Sequence, residues 1–202
     1  MPKKIDKEEK KANILEASIK VFSKKGVANT KISDIAEAAG IGKGTIYEYF
    51  RSKDEIFVES FHFFLEKVDG IISQRLYRIS DPMEKLLAYS STWTEIFEGD
   101  NLEYASILLD FWAKSIRNKQ EAIALNLVKI YDENRNILKS LLEDCITKEK
   151  MSSLDVKVAA SILIASLEGL FIQWILDRSA FDFKETAKLA TEIIIEWLKK
   201  RD

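Results

Sequence analysis

Residues that interrupt a helix are scarce in this sequence, and their scarcity limits the folds open to the chain. Only seven glycines and two prolines occur in 202 residues, while Ala, Leu, Ile, Glu and Lys, mostly good helix formers, are abundant. Apolar residues recur at spacings of three and four, as on one face of a helix, and strand-like alternation lasts only a few residues. The sequence therefore predicts an all-α protein of about nine helices.

Helix-breaking and capping residues locate the ends of these helices. Gly26 and Gly40 each follow an apolar stretch and are predicted to end it in the left-handed conformation that glycine adopts easily. Thr30 and Ser52 precede the next stretches and are predicted to cap them, and residues 182–185 have the spacing of a capping box. The predicted helices cover about 8–25, 31–39, 42–50, 53–79, 82–98, 101–117, 119–148, 154–178 and 183–200.

Composition excludes several classes of protein. With 47% apolar and 32% charged residues, the chain is not expected to be disordered, and its longest apolar run, residues 158–167, is too short to cross a bilayer. The first residues lack the apolar segment of a signal peptide, and the single cysteine, Cys145, cannot form an intrachain disulfide. We expect a soluble, cytoplasmic protein that does not enter a membrane.

The residues that usually carry catalysis are almost absent. His62 is the only histidine and Cys145 the only cysteine, and no metal-ligand spacing, phosphate-binding loop or nucleophile elbow occurs. The abundant Asp and Glu pairs at helical spacing are interpreted as solvated helix faces. The sequence thus predicts neither an enzyme nor a bound metal or cofactor.

Charge is distributed unevenly along the chain. Residues 1–53 carry 12 Lys and Arg against 7 Asp and Glu, a net charge of +5, whereas the remainder carries a net charge of −7. This asymmetry is expected of a chain whose N-terminal region alone touches a polyanion such as DNA.

Three of the seven glycines lie within five positions, at Gly40, Gly42 and Gly44. A helix, a turn at Gly40 and a short third helix have the form of a helix-turn-helix, whose second helix enters the major groove of DNA by its N-terminal end. Gly42 and Gly44 would let that end approach bases and phosphates closely. The alternative is that both glycines are ordinary loop residues.

Side chains on and after the third helix suit contacts with DNA. Lys43 can reach guanine acceptors or a phosphate, and Thr45 can offer its methyl group to thymine or its hydroxyl to a phosphate. Tyr47 and Tyr49 place hydroxyls near the DNA backbone, and Lys53 can neutralise a phosphate. The alternative for the tyrosines is packing on the protein surface.

Residues 14–57, ILEASIKVFSKKGVANTKISDIAEAAGIGKGTIYEYFRSKDEIF, resemble the N-terminal domain of the tetracycline-repressor (TetR) family of transcriptional regulators. The resemblance is carried by TKISDIAEAAGI followed by KGTIYEYFRSK. It implies a DNA-binding domain over 1–53 and a helical ligand-binding and dimerisation domain over 54–202. The DNA contacts it implies are Thr30, Lys31, Ser33, Lys43, Gly44, Thr45, Tyr47, Tyr49 and Lys53.

The last two predicted helices, 154–178 and 183–200, are apolar over more than one face. A helix of this kind must be buried on two sides, and a second copy of the chain can cover the outer side through a two-fold four-helix interface. The resemblance implies the same two helices for a homodimer. The alternative is that the domain covers both faces itself.

Aromatic residues cluster in the larger domain and suit a pocket for a small apolar or aromatic effector. Asp110, Glu168 or Gln173 could anchor such a ligand if buried. The alternative for each aromatic residue is a place in the core, and the pocket itself rests on the resemblance. The candidate pocket residues are Tyr89, Trp93, Phe97, Phe111, Trp112, Tyr131 and Trp174.

Together these features predict a homodimeric repressor that reads a palindromic operator and responds to a small ligand. Ligand binding would change the spacing of the two DNA-binding heads, and the helix predicted over 53–79 would carry the movement. One alternative is a constitutive DNA-binding regulator without an effector. Another is an all-α carrier of lipids or small molecules, or an enzyme, that retains an unused head.

Overall fold

The computed structural model describes residues 2–97, 102–117, 122–149 and 155–199. In these ranges the chain forms nine helices and no strand, so the predicted all-α fold is confirmed. The helices are α1 (Pro2–Asn29), α2 (Ile32–Ala38), α3 (Lys43–Tyr49), α4 (Lys53–Tyr77), α5 (Pro82–Ile96), α6 (Leu102–Arg117), α7 (Ala122–Glu149), α8 (Val156–Leu176) and α9 (Phe183–Lys199).

Two glycines have the positive φ that the sequence predicts. Gly40 has a φ of 67° between α2 and α3, and Gly26 has a φ of 72° within α1. Gly26 interrupts the helix as predicted, because its φ of 72° and ψ of 154° are not helical, and a short helical segment follows it to Asn29. A side chain at either position would strain the backbone, since only glycine enters this region at little cost.

The cap of α2 differs from the prediction. Thr30 is buried and its hydroxyl donates a hydrogen bond to the Gly26 carbonyl, at 2.8 Å, so the side chain turns back toward α1 instead of capping α2. Lys31 is the N-cap residue, and its backbone N–H donates to the Asp34 carboxylate at 2.9 Å. This bond, followed by one from Lys25, lowers the pKa of Asp34.

Two other predicted caps are present. The Ser52 hydroxyl accepts a hydrogen bond from the backbone N–H of Glu55 at 3.1 Å, at the start of α4. The Asp182 carboxylate accepts one from the backbone N–H of Glu185 at 2.8 Å, at the start of α9. Each bond satisfies one N–H group that has no partner within its helix.

The chain divides into two compact units. Unit 1 consists of Met1–Asp69 and Gly99–Leu127, and unit 2 consists of Gly70–Glu98 and Val128–Asp202. The helices α4 and α7 each contribute residues to both units. The functional division predicted at residues 1–53 and 54–202 stays a prediction.

Unit 1 has an aromatic core built by α1, α4 and α6. The rings of Phe61 and Phe111 stack with their centroids 3.7 Å apart, and Phe57 lies 5.9 Å from Phe111. Phe22 of α1 meets Phe57 edge to face at 5.8 Å. All four side chains are almost fully buried, so α6 supplies part of the core on which α1 and α4 pack.

Unit 2 is held together by α5, α8 and α9. Phe171 of α8 lies 4.5 Å from Phe97 and 6.2 Å from Phe183, measured between ring centroids. The buried hydroxyl of Thr191 donates a hydrogen bond to the Ser90 hydroxyl at 2.8 Å, which joins α9 to α5. Apolar contact and a satisfied polar pair therefore fix these helices together.

The outer surface of α8 and α9 is strongly apolar. By length and composition alone, α8 is the one helix in the described ranges that could cross a membrane, because it extends beyond the short apolar run of residues 158–167. Only 28% of the most apolar 18-residue segment of α8 is buried within the chain. The exposed large apolar residues of both helices, called the apolar stripe below, are Val158, Ile162, Ile172, Leu176, Leu189, Ile193 and Trp197.

Candidate nucleic-acid interface and ligand cavity

The turn between α2 and α3 is tightly held. The backbone N–H of Ile41 donates to the Ala36 carbonyl at 3.0 Å, as expected after a helix that ends in a glycine with positive φ. Ile35, Ile46 and Phe50 are buried and form a small core between the two helices, whereas Ile41 is half-buried.

The N-terminal end of α3 is open to solvent. Gly42 is the N-cap residue and provides no side-chain hydrogen bond to the helix, so free N–H groups remain there. Gly42, Lys43, Gly44 and Tyr47 are exposed, and Thr45 is half-buried. The end of this helix therefore presents backbone N–H groups and one ammonium group to a partner outside the protein.

The packing of the protein does not require glycine at position 44. An added methyl group at Gly44 would meet no atom within 4 Å, and the residue lies in regular helix. Because alanine is the better helix former, the folded chain alone would favour it here. Glycine at position 44 leaves room for an outside molecule to approach the backbone of α3 closely, which is a physical reason for the absence of a side chain there.

Lys53 and Thr30 make contacts within the protein. The Lys53 ammonium donates to the carbonyls of Ala28 and Thr30, at 3.1 and 2.9 Å, and so satisfies carbonyls at the end of α1. A third N–H group of the ammonium remains for a phosphate.

The predicted DNA contacts Lys31 and Ser33, at the start of α2, are both exposed.

Lys7 is a candidate DNA contact that the sequence analysis missed. Its ammonium lies 5.9 Å from the ring centroid of Tyr49, which is half-buried, and Lys11 lies 5.7 Å from the ring of Phe50. The beginning of α1 is therefore beside the end of α3. The lysine-rich start of the sequence could have indicated this contact, but its lysines were counted only in the net charge of residues 1–53 and not considered one by one.

Unit 2 contains a small cavity with a polar side. Its volume is about 20 Å³, close to the room that one water molecule needs. Two of the predicted pocket residues, Tyr89 and Trp93, line it together. The complete lining is Tyr89, Trp93, Asn134, Ile164, Leu167 and Glu168.

Glu168 is the predicted anchor that the structure places at this cavity. The Tyr131 hydroxyl donates a hydrogen bond to its Oε1 at 2.5 Å. Burial raises the pKa of Glu168, and the hydrogen bond from Tyr131 offsets part of that increase. Of the other proposed anchors, Gln173 is exposed on α8 and Asp110 belongs to unit 1.

The remaining predicted pocket residues are divided between the units. Phe97 is buried 5.4 Å from Trp93, and Trp174 stacks on Phe183 at 5.1 Å, both within unit 2. Phe111 lies in the aromatic core of unit 1, where Trp112 is half-buried. Contact of these four residues with a ligand stays a prediction.

Comparison with protein-family models identifies the family. The model of bacterial regulatory proteins of the tetR family matches residues 14–59, which include α2 and α3. The model of the BetI-type transcriptional repressor C-terminal region matches residues 84–198, more than half of the chain. The chain belongs to the TetR family of transcriptional regulators. TetR regulators bind DNA operators, respond to small-molecule ligands and act as dimers.

Relatives of this TetR protein match it over nearly the whole length. The fatty acid metabolism regulator protein of Bacillus subtilis is 24% identical, with 96% of this chain and 98% of the relative covered. A regulator from Saccharomonospora viridis in complex with choline has a TM-score of 0.83 at 21% identity, covering 96% and 100% of the chains. FadR from Bacillus subtilis in complex with stearoyl-CoA has a TM-score of 0.73 at 20% identity, covering 91% and 96%. These structures share the TetR fold.

Proposed function

We propose that this TetR regulator represses transcription by holding a palindromic operator, and that a small effector bound in unit 2 releases it. The open N-terminal end of α3, with Lys43 between two glycines, is the observation that carries the DNA-binding part. Selection of bound genomic fragments tests it. A specific, inverted-repeat sequence should be recovered, whereas recovery of random fragments would favour the carrier or enzyme alternative.

We assign the DNA contacts to the exposed side of the helix-turn-helix. Lys43 is proposed to read a base or a phosphate, while Lys31, Ser33 and Tyr47 contact the backbone. Tyr49 and Lys53 border this surface. Gly42 is proposed to contribute through its backbone N–H group, because it has no side chain. The DNA contact of Thr30 stays a prediction, since this residue is buried and its hydroxyl has an internal acceptor.

Replacing Gly44 by alanine should separate folding from DNA binding. We expect the free energy of unfolding to rise by about 0.5–1 kcal/mol, since alanine favours helix and no neighbour is displaced. Operator affinity should fall at least about tenfold, because the new methyl group would meet DNA. Urea denaturation and fluorescence anisotropy measure the two quantities.

The matched control is Gly70→Ala in α4, where an added methyl group also meets no atom within 4 Å. This variant should gain similar stability and keep its operator affinity. Equal operator affinity for Gly44→Ala and the control would contradict the placement of α3 against DNA.

Replacing Lys7 by alanine should weaken binding to every DNA sequence to a similar extent. The lysine lies beside Tyr49 at the edge of the proposed DNA surface, where it can reach a phosphate. We expect the slope of log affinity against log salt to decrease by about one unit. Lys129→Ala, an exposed change in unit 2, should leave the slope unchanged; an unchanged slope in both variants would remove Lys7 from the interface.

We propose that the dimer forms through the apolar stripe of α8 and α9. Seven large apolar residues are exposed there, and α9 carries three of them at spacings of four. A two-fold axis beside these helices would bury the stripe against itself, in line with the dimers of the family. Burial of this kind also accounts for the hydropathy of α8 in a cytoplasmic, DNA-binding protein.

We propose that the effector enters the cavity lined by Tyr89 and Trp93 and that α4 carries the response. Arg75, near the end of α4, forms an ion pair with Glu95 of α5, which also pairs with Lys184 of α9. A change in α5 would therefore act on α4. Binding must favour one arrangement over another to have this effect.

A screen of operator release by small molecules tests the effector part of the proposal. The ligands bound in two of these structures, choline and stearoyl-CoA, are chemically unlike each other and do not select an effector for this chain. Release by one class of compound would support the proposal. Tight operator binding without release by any class would favour a constitutive regulator.

A further inference from the structure

Glu168 is an unusual residue for its position in the chain. Between Lys157 and Asp177 it is the only charged side chain, in the middle of the strongly apolar helix α8. It is half-buried and lines the cavity of unit 2. A carboxylate in such a place loses hydration, which is costly unless a partner compensates for it.

The protein supplies little compensation. The Tyr131 hydroxyl, a neutral donor, gives Glu168 its hydrogen bond, and within the described residues no Lys, Arg or His lies at ion-pair distance from it. Arg135 on the neighbouring α7 forms an ion pair with Asp132 and lies 6.0 Å from the Tyr131 ring. The carboxyl group of Glu168 thus has no cationic partner among the described residues and can accept one from outside.

Aromatic rings surround the same carboxylate. Tyr89 and Trp93 line the cavity from α5, and Tyr131 approaches Glu168 from α7. Aromatic faces attract organic cations, most strongly where water is excluded, and a carboxylate beside them adds direct charge neutralisation. An anionic or purely apolar ligand would instead leave Glu168 buried without compensation.

We propose that the effector carries an organic ammonium group, which binds Glu168 between the rings of Trp93 and Tyr89. This inference rests on the proposed function and specifies its ligand. A trimethylammonium group does not fit into about 20 Å³, so its binding requires a wider cavity. In this proposal the ligand binds an opened state of unit 2 more tightly than the closed one, and this difference in affinity shifts the equilibrium.

Pairs of compounds with equal shape and different charge test the proposal. The probes are choline with 3,3-dimethylbutan-1-ol, and benzyltrimethylammonium with neopentylbenzene. Titration calorimetry and thermal shift on the full-length protein measure binding, and anisotropy measures operator release. We expect at least one cation to bind about tenfold or more tightly than its neutral isostere and to release the operator.

Replacing Glu168 by glutamine should remove this preference. The amide oxygen can still accept the hydrogen bond from Tyr131, and circular dichroism checks that the variant folds. Trp93→Leu is a second variant and should weaken the cation more than the isostere. Glu143→Gln on α7, where the carboxylate pairs with Lys139 at the surface, is the control and should keep the full preference.

Three outcomes would overturn the proposal. They are equal or tighter binding of the neutral isosteres, a cation preference that persists in Glu168→Gln, and no binding of either cation. Operator binding is measured separately on the same protein. Intact operator binding with release by a neutral or acidic compound would overturn the ammonium ligand alone and leave the repressor function standing.

Discussion

Replacing Ile193 by aspartate should convert the dimer into monomers and reduce operator affinity by about a hundredfold or more. Ile193 is 59% exposed in the single chain, so the change should cost the fold itself little. In a two-fold interface the residue occurs twice, and each carboxylate would be buried without a partner at a cost of several kcal/mol. Light scattering coupled to gel filtration measures the mass, and anisotropy measures operator affinity.

The control for this prediction is Val128→Asp. Val128 is 58% exposed on α7, outside the apolar stripe, so it matches Ile193 in exposure. This variant should remain dimeric and bind the operator normally. A dimeric Ile193→Asp protein at micromolar concentration would place the interface elsewhere.

Replacing Phe111 by alanine should lower the free energy of unfolding by about 3–5 kcal/mol. The ring is fully buried, stacks on Phe61 at 3.7 Å and also contacts Phe57. Its removal would leave a cavity that surrounding rings can fill only partly. Urea denaturation measures the loss, which decides between the two roles considered for Phe111, a place in the core or in a ligand pocket.

Phe63→Ala is the comparison for this measurement. Phe63 is half-buried on α4 and contacts the ammonium of Lys67 with its ring, at 4.5 Å from the centroid. We expect a loss of about 1–2 kcal/mol, since part of that side chain is already in water. A loss below about 1 kcal/mol for Phe111→Ala, combined with a lost effector response, would identify Phe111 as a ligand contact.

Local sequence rules located the helices from α2 to α9, whereas α1 begins at Pro2, before its predicted start at residue 8. Periodicity and breakers predicted helices that agree with the structure to within a few residues, from α4 at Lys53–Tyr77 to α9 at Phe183–Lys199. The prediction that Thr30 caps α2 was wrong, because a threonine hydroxyl can either accept a hydrogen bond from the next helix or donate one to the previous helix. Only the geometry after Gly26 decides between these bonds.

Contacts between distant segments were harder to predict. Helical spacing identified the aromatic residues, but chain order does not reveal that Phe111 belongs to unit 1 while Trp93 belongs to unit 2. Likewise, Glu168 was one of three possible anchors until its burial and its bond to Tyr131 were known. Lys7 was missed because 42 residues separate it from Tyr49.

The contribution of α6 to the aromatic core of unit 1 has a practical consequence for protein engineering. A DNA reader excised at residue 53, or exchanged there between homologues to build a chimaeric sensor, would lose the rings of Phe57 and Phe111 on which α1 rests. Modular exchange should therefore succeed only when the donor sequence also supplies α4 and α6. We therefore expect DNA specificity to transfer between homologues only when both chain segments of unit 1 are exchanged together.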